Sequence, residues 1–169
     1  MKAHFDMLAH YNAWANRRLY DAAAVLSDAE YRANRGAFFK SMHGTLNHLL
    51  VGDRIWMRRF TGEGEAPTRL DAILYEDFAE LRRMREAEDA RILRFVAGLD
   101  ETDLAGRFRR RTTSRPVEIE QPLAPALAHF YNHRTRHGGQ AHGLLTGFGR
   151  DAPSLDLILF QRQTGIGLN

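Results

Sequence analysis

The chain contains no cysteine and very little lysine. Lysine and arginine together number 24 in the 169 residues, and Lys2 and Lys40 are the only lysines among them. The absence of cysteine excludes disulfide bonds, thiolate metal ligands and a cysteine nucleophile. Any bound metal must therefore be held by nitrogen and oxygen atoms, which points to zinc, nickel, iron or manganese.

Several other features are missing. No charge-free apolar run approaches the roughly 18 residues of a membrane span, so we expect no membrane partner. The N-terminal segment MKAHFDML carries Asp6 early and has no apolar signal region, which favours a cytoplasmic protein. The HExxH, GxGxxG and P-loop motifs do not occur, nor does a carboxylate-x-x-His pair in each half of the chain.

The charge pattern does not indicate a nucleic-acid partner. The net charge of +3 and the pI near 9.6 come almost entirely from arginines spread along the chain. Such a bias more often reflects genome composition than function, and we expect no specific nucleic-acid binding. The length and the apolar content of 44% suit one globular domain over residues 1–169.

The apolar periodicity predicts an all-α four-helix bundle. Residues at three- and four-residue spacing mark helices over about 3–26, 41–60, 75–97 and 123–147. Helices of about 20 residues are roughly 30 Å long, which suits a bundle. The link between the second and third helices is long enough to cross the bundle and allow a parallel pair, although spacing alone does not require one. A short C-terminal helix is predicted near 154–162.

Local signals set the helix ends. Ser27 and Glu30 have capping-box spacing before a short helical turn, and Ser41 is the expected N-cap of the second long helix. The charged run RRMREAEDAR in the third helix is interpreted as a solvated face. Gly138 and Gly139 interrupt the fourth helix and indicate either close helix approach or a thinner wall beside a site.

The region between the third and fourth helices predicts a small β-hairpin. Runs at about 108–112 and 117–120 flank Thr113-Ser114-Arg115, and Val117 and Ile119 alternate with glutamates. Arg109, Arg110 and Arg111 would then lie across from Glu118 and Glu120. An exposed ion-paired hairpin is the simplest interpretation, and a basic lip for an anionic substrate or a nucleic-acid contact are the alternatives.

The histidines carry the strongest chemical signal. His129, His133 and His137 recur every four residues and form one slowly drifting stripe on the fourth helix. Two imidazoles one turn apart can reach a single ion, and His48, among apolar residues of the second helix, can supply a third ligand. The sequence therefore favours His48, His133 and His137 as a metal triad, with packed core histidines as the alternative.

Other candidates near this site are less defined. His129 continues the stripe and is expected in the outer shell or the pocket, whereas His142 should face another direction. His43 reaches the site only if the first helical turn bends. Asp53 either orients an imidazole or forms a surface salt bridge with Arg54 or Arg58.

Four stretches of the chain resemble one known family. They are YNAWANRRL (11–19), SMHGTLNHLLVGDRIW (41–56), HFYNHRTRHGGQAHGLL (129–145) and SLDLILFQRQTG (154–165). In order and spacing they resemble the DinB/YfiT-like metalloenzymes. This resemblance implies an up-down-down-up bundle, frequent dimerisation and a three-histidine metal site.

The resemblance also assigns residues. The family histidine of the second helix corresponds to His48, and its HxxxH motif corresponds to His133 and His137. The family's Arg-Gly-Gln is Gly138-Gly139-Gln140 here, which removes an arginine beside a ligand, and Arg136 stands where many members have a further histidine.

Some relatives are S-transferases that use bacillithiol or mycothiol, and another branch isomerises maleylpyruvate. We therefore expect a homodimer that binds a divalent metal, zinc or nickel before iron or manganese, and acts on a small molecule with an exogenous low-molecular-weight thiol. The expected reaction is thiol S-transfer or hydrolysis, with pocket contacts from His129, Gln140, Trp56 and Asn132. The alternative is a metal-binding or ligand-binding stress protein, or a dimeric scaffold, without turnover.

Overall fold

Helices make up most of the protein in the computed structural model, which describes residues 1–111 and 118–168. The elements follow the order α1 (Lys2–Ala23), α2 (Asp28–Arg32), α3 (Met42–Thr61), α4 (Phe78–Ala97), α5 (Glu101–Ala105), β1 (Arg107–Arg111), β2 (Glu118–Pro122), α6 (Leu123–Gly147) and α7 (Leu157–Thr164). The four long helices α1, α3, α4 and α6 form the predicted bundle. None of the described helices is both long and apolar enough to span a bilayer.

The helix ends follow the local signals in the sequence. The Ser27 side chain and the Glu30 side chain close a reciprocal capping box at α2, and the Ser41 hydroxyl accepts a hydrogen bond from the amide of Gly44 at the start of α3. The third long helix begins at Phe78 rather than near Tyr75, because Asp77 caps it. The predicted bounds of the fourth helix agree with α6.

Contacts between the helices fix their directions. Asp53 meets Arg85, and further along both helices Phe60 stacks on Phe95, so α3 and α4 run parallel. α1 runs parallel to α6, as the contacts Phe5–Tyr131 and Leu19–Gly138 show. α1 is antiparallel to α4 through Lys2–Val96 and Tyr20–Phe78. α6 is antiparallel to α3 through His48–His137 and Trp56–His129. The bundle is therefore up-down-down-up, as the family resemblance implied.

A polar layer divides the core in two. One apolar cluster occupies the end of the bundle that contains Phe5, Met57 and Leu127, and the other occupies the end that contains Leu19, Leu46 and Leu145. Between them, each long helix contributes buried polar side chains at its middle, listed here in chain order: Asn12, Asn16, His48, Asp53, Arg85, Asp89, Arg134 and His137. This layer contains the candidate site.

The hairpin has the predicted antiparallel form. The backbone register places Arg109 opposite Glu120 and Arg111 opposite Glu118. Arg107 Nε lies 3.1 Å from a Glu120 carboxylate oxygen, and both side chains are exposed, as expected for an ion-paired surface hairpin. The predicted turn at Thr113-Ser114-Arg115 lies outside the described residues.

Candidate metal centre

α3 and α6 bring three histidines together at the middle of the bundle. One ring nitrogen from each of His48, His133 and His137 lies within 4.8 Å of the other two. The ring centroids are separated by 5.2 Å for His48 and His133, 4.5 Å for His48 and His137, and 4.4 Å for His133 and His137. The structure thus joins the two helices at the positions that the sequence singled out.

A glycine on α3 makes this close approach possible. A Cβ atom at Gly52 would lie 3.1 Å from Cε1 of His133, closer than most contacts of real Cβ atoms. The His133 ring therefore lies over the bare backbone of α3, and its Nε2 comes within 3.3 Å of Nε2 of His48. Sequence reasoning did not assign Gly52, although a glycine inside an apolar helical pattern is a signal of close packing.

Hydrogen bonds orient two of the rings. Nδ1 of His48 lies 2.8 Å from the carbonyl oxygen of Leu70, and Nδ1 of His137 lies 2.8 Å from Oε1 of Gln140. Because these oxygens only accept, each Nδ1 carries the hydrogen and donates it, and each Nε2 keeps its lone pair. Metal-bound histidines are commonly held by such outer partners.

Burial keeps the histidines neutral. Removal from water lowers the pKa of His48 to about 4, although the hydrogen bond to Leu70 opposes the shift. Burial, with neighbouring His137 and His48, lowers the pKa of His133 to about 3. Burial also lowers the pKa of His137. All three are therefore unprotonated near pH 7, the form that binds a metal.

An aromatic side chain from the segment before α3 covers one side of the cluster. The Phe39 ring stacks on His48 with centroids 3.6 Å apart and meets His137 edge-on at 5.5 Å. Phe38, next to it, is exposed. Sequence reasoning missed Phe39 because nothing in the spacing says how a connecting segment folds back on a helix.

The predicted pocket residues lie at different distances from the cluster. Gln140 contacts His137 directly through the hydrogen bond described above. His129 is exposed, with its ring 6.3 Å from His133 and 5.1 Å from Trp56. Asn132 is also exposed. The exposed His129 ring therefore lies between His133 of the cluster and the buried Trp56.

Two further histidines are engaged elsewhere. Nε2 of His43 lies 3.1 Å from the carbonyl oxygen of Tyr75, and its ring packs against Tyr31. The bent first turn that would bring His43 to the site is therefore not seen. His142 lines a groove between α1, α6 and the segment before α7, and not the histidine cluster, as predicted.

Both interpretations of Asp53 are wrong. Its side chain is 1% exposed, and it pairs with Arg85 of α4 and Arg134 of α6 rather than with an imidazole, Arg54 or Arg58. Asp53 follows Leu49 and Leu50 by one helical turn on the apolar face of α3, which explains its burial.

The charged face of α4 is also partly buried, contrary to the expectation of a solvated face. Arg85, Glu88 and Asp89 are all buried, and Arg85 Nη2 lies 3.0 Å from Asp89. The run gives no sign of this burial in the sequence, because the partners of Arg85 and Asp89 outside α4 lie on α3 and α1.

Amide side chains of α1 complete this ion-pair network. Asn16 donates to Asp89 at 2.8 Å and accepts from Arg134 at 3.0 Å, and Asn12 bridges the same two residues. Burial raises the pKa of Asp89 to about 6, with Arg85 and Asn16 opposing the shift, and burial lowers the pKa of Arg134 to about 9.

Comparisons with known proteins identify the family of the chain. The chain is 26% identical to Protein DinB of Bacillus subtilis (strain 168) over 168 residues, which cover 93% of this chain and 94% of that protein. The family model described as DinB family matches residues 1–167. The chain belongs to the DinB family.

Proposed function

We propose that the protein is a divalent-metal-dependent enzyme whose metal is held by His48, His133 and His137. The observation that carries the proposal is the convergence of three ring nitrogens within 4.8 Å of one another. Leu70 and Gln140 are partners of the Nδ1 atoms of His48 and His137. A shared cation would satisfy the lone pairs that the three neutral imidazoles keep on their other ring nitrogens.

The donor set fits the first-row divalent metals. Imidazole nitrogens suit zinc, nickel and iron, and the described residues place no carboxylate among the clustered ring nitrogens. We therefore favour zinc or nickel, followed by iron or manganese. Three protein ligands leave at least one coordination position of the metal free. A water or thiol bound at that position would have a lowered pKa and would supply a nucleophile.

The chain's own residues orient and shield this site. The Leu70 carbonyl and Gln140 hold the rings of His48 and His137 with their Nε2 atoms free. Phe39 excludes water from one side of His48 by stacking on it. These contacts hold the ligands in place before a metal binds, which reduces the cost of ordering them.

Any sulfur nucleophile must come from outside the chain. Since the sequence contains no cysteine, a sulfur nucleophile can only arrive as a low-molecular-weight thiol. We favour thiol S-transfer to a small electrophile, or hydrolysis with water in the place of the thiol, with His129, Gln140, Trp56 and Asn132 contacting the substrate. A cytoplasmic location suits this proposal because thiols are kept reduced there.

Turnover is tested with the metal-loaded protein, a thiol and an electrophile. We expect bacillithiol, mycothiol or glutathione to be joined to an alkyl halide or epoxide by the wild-type protein, with the product followed by mass spectrometry. The chelated protein and the His133→Ala variant should give only the uncatalysed rate. Bound metal without turnover of thiol or ester substrates would favour a metal-binding protein that is not an enzyme.

We also infer a homodimer, on family likeness. Light scattering at micromolar concentration should give twice the mass of 19.3 kDa. A monomer under these conditions would overturn this part of the proposal and leave the metal centre untouched.

A further inference from the structure

A cavity lies between α1 and α4, on another side of the polar layer from the metal centre. Its volume is about 300 Å³. Asn16 and Tyr20 of α1 and Arg85 and Asp89 of α4 lie at its floor, and all four are buried. The three histidines do not line this cavity, so its contents are separate from the metal centre.

Two hydrogen-bond donors at the floor lack partners. In the described part of the chain, the Tyr20 hydroxyl and Nε of Arg85 have no hydrogen-bond partner, although each residue is only 1% exposed. The two Nη atoms of Arg85 also make no hydrogen bond, but each lies within ion-pair distance of a carboxylate, that of Asp53 or Asp89. A buried donor without an acceptor is strongly unfavourable, so an acceptor is expected in the cavity.

The size and lining of the cavity indicate what supplies that acceptor. A water molecule takes up roughly 30 Å³, so the cavity has room for several waters or for one small molecule. Ala13, Ala90 and Leu93 form apolar sides. A small molecule with an oxygen at one end and a short apolar body matches both parts of this lining.

The charges favour a monoanion. Three arginines and two carboxylates line the cavity, namely Arg17, Arg82, Arg85, Glu86 and Asp89. The carboxylates are already paired, because Asp89 contacts Arg85 at 3.0 Å and Glu86 contacts Arg82 at 3.2 Å. Arg82 and Arg85 also pair with carboxylates outside the lining, namely Asp21 and Asp53. The positive charge left for a ligand is therefore that of Arg17, which is exposed near the mouth and forms no ion pair within the part of the chain that the structure describes.

We propose that the cavity between α1 and α4 binds a small monocarboxylate with a short apolar body. One carboxylate oxygen accepts from Tyr20 and Arg85, and the apolar body lies along Ala13, Ala90 and Leu93. This site works without the metal and does not depend on the function proposed above.

The test is a titration of the full chain with benzoate, followed by NMR of isotope-labelled protein. We expect saturable shifts of the amide signals of Ala13, Ala90 and Leu93, with the signal of Gly52 beside the histidines unmoved. Benzyl alcohol, a neutral probe of similar size, should bind more weakly. Site-resolved signals separate binding in this cavity from coordination of benzoate at the metal.

Two tyrosine variants provide a matched pair. Tyr20→Phe keeps the ring that stacks on Phe78 and removes only the hydroxyl, so benzoate affinity should fall about tenfold. Tyr31→Phe also removes a buried hydroxyl without a partner, but Tyr31 does not line the cavity, and affinity should be unchanged. Absence of saturable shifts in the wild type, equal binding of benzyl alcohol, or equal loss in both variants would overturn the proposal.

Discussion

Two clusters of polar side chains, the three histidines and an ion-pair network, lie side by side in the middle of this bundle. They differ in whether their charged and polar atoms already have partners. On α3, Gly52 beneath the histidine cluster is followed by Asp53 of the ion-pair network, and on α6, His133 is followed by Arg134. The network of Asp53, Arg85, Asp89 and Arg134 balances two carboxylates against two guanidinium groups. The histidine cluster contains no opposite charge.

This difference indicates that the ion-pair network stabilises the fold, whereas the histidine cluster can bind a cation. Paired charges in the core fix the register of the four helices, because each charge is already balanced by an opposite one. Neutral imidazoles whose ring nitrogens converge within 4.8 Å have capacity for a cation. Substitutions in the two regions should therefore have different effects on stability and on metal binding.

Asp53→Asn should give the largest loss of stability. The change leaves the buried Arg85 and Arg134 with an excess positive charge, and breaking a buried pair in this way costs about 3–5 kcal/mol. Urea unfolding of the metal-free protein measures it. Asp21→Asn is the control, because Asp21 pairs with Arg82 at the surface, and that pair is worth at most about 1 kcal/mol. Similar losses in the two variants would contradict the structural role of the network.

Gln140→Leu should weaken metal binding and leave the fold intact. Removal of the amide oxygen frees Nδ1 of His137, and loss of an outer partner of a metal-bound histidine typically costs about 10–100-fold in affinity. Competition with a chelator of known affinity measures the change. Unaltered affinity would show that Gln140 does not orient the ring.

The pH dependence of stability should have opposite signs in the two regions. In the metal-free protein, folding lowers the pKa of His48 from 6.5 to about 4, so the unfolded chain takes up protons first as the pH falls below 6.5, and stability is lost. For Asp89, burial raises the pKa from 3.8 to about 6, so the folded state takes up the proton first and stability is gained.

Variants separate these two contributions. Between about pH 6.5 and 5, His48→Gln should reduce the acid loss of unfolding free energy by about 1–2 kcal/mol, and Asp89→Asn should deepen it by about 1 kcal/mol. Urea titrations at several pH values give the slope of the unfolding free energy against pH for each protein. Parallel slopes in the wild type and both variants would show that neither group changes its proton affinity on folding.

Two glycine variants should give the smallest effects. Gly139→Ala adds a Cβ with no neighbour within 4 Å, so it should stabilise α6 by up to about 1 kcal/mol. Gly52→Ala should gain less, because its Cβ would press on the His133 ring, and metal affinity should fall severalfold. Thermal unfolding and chelator competition measure both. Equal gains without loss of metal affinity would show that Gly52 is not needed for the approach of His133.

Much of the fold could be predicted because its signals are local. The three- and four-residue spacing of apolar side chains places the long helices, and Ser41 and Ser27 mark helix starts that the structure retains. The same periodicity places His133 and His137 on one face of α6. The convergence of these residues with His48 follows from two apolar helix faces packing together.

The remaining features depend on contacts between distant segments. The charge run of α4 has the same sequence whether its arginines face solvent or Asp53 of another helix, and only the assembled bundle decides. Phe39 and the Leu70 carbonyl reach His48 from connecting segments, whose paths carry no periodic signal. Asp53 among apolar residues of α3 was the one local sign of the network.

Metal content of the purified protein tests the central claim most directly. Untagged wild type, purified without chelator, is measured by elemental analysis beside His133→Ala and His129→Ala. The two variants remove imidazoles one turn apart on α6, one within the cluster and one exposed. We predict near-stoichiometric zinc, nickel, iron or manganese in the wild type and in His129→Ala, and a large loss in His133→Ala. Equal metal content in all three proteins, or no metal even after these ions are added, would contradict the account.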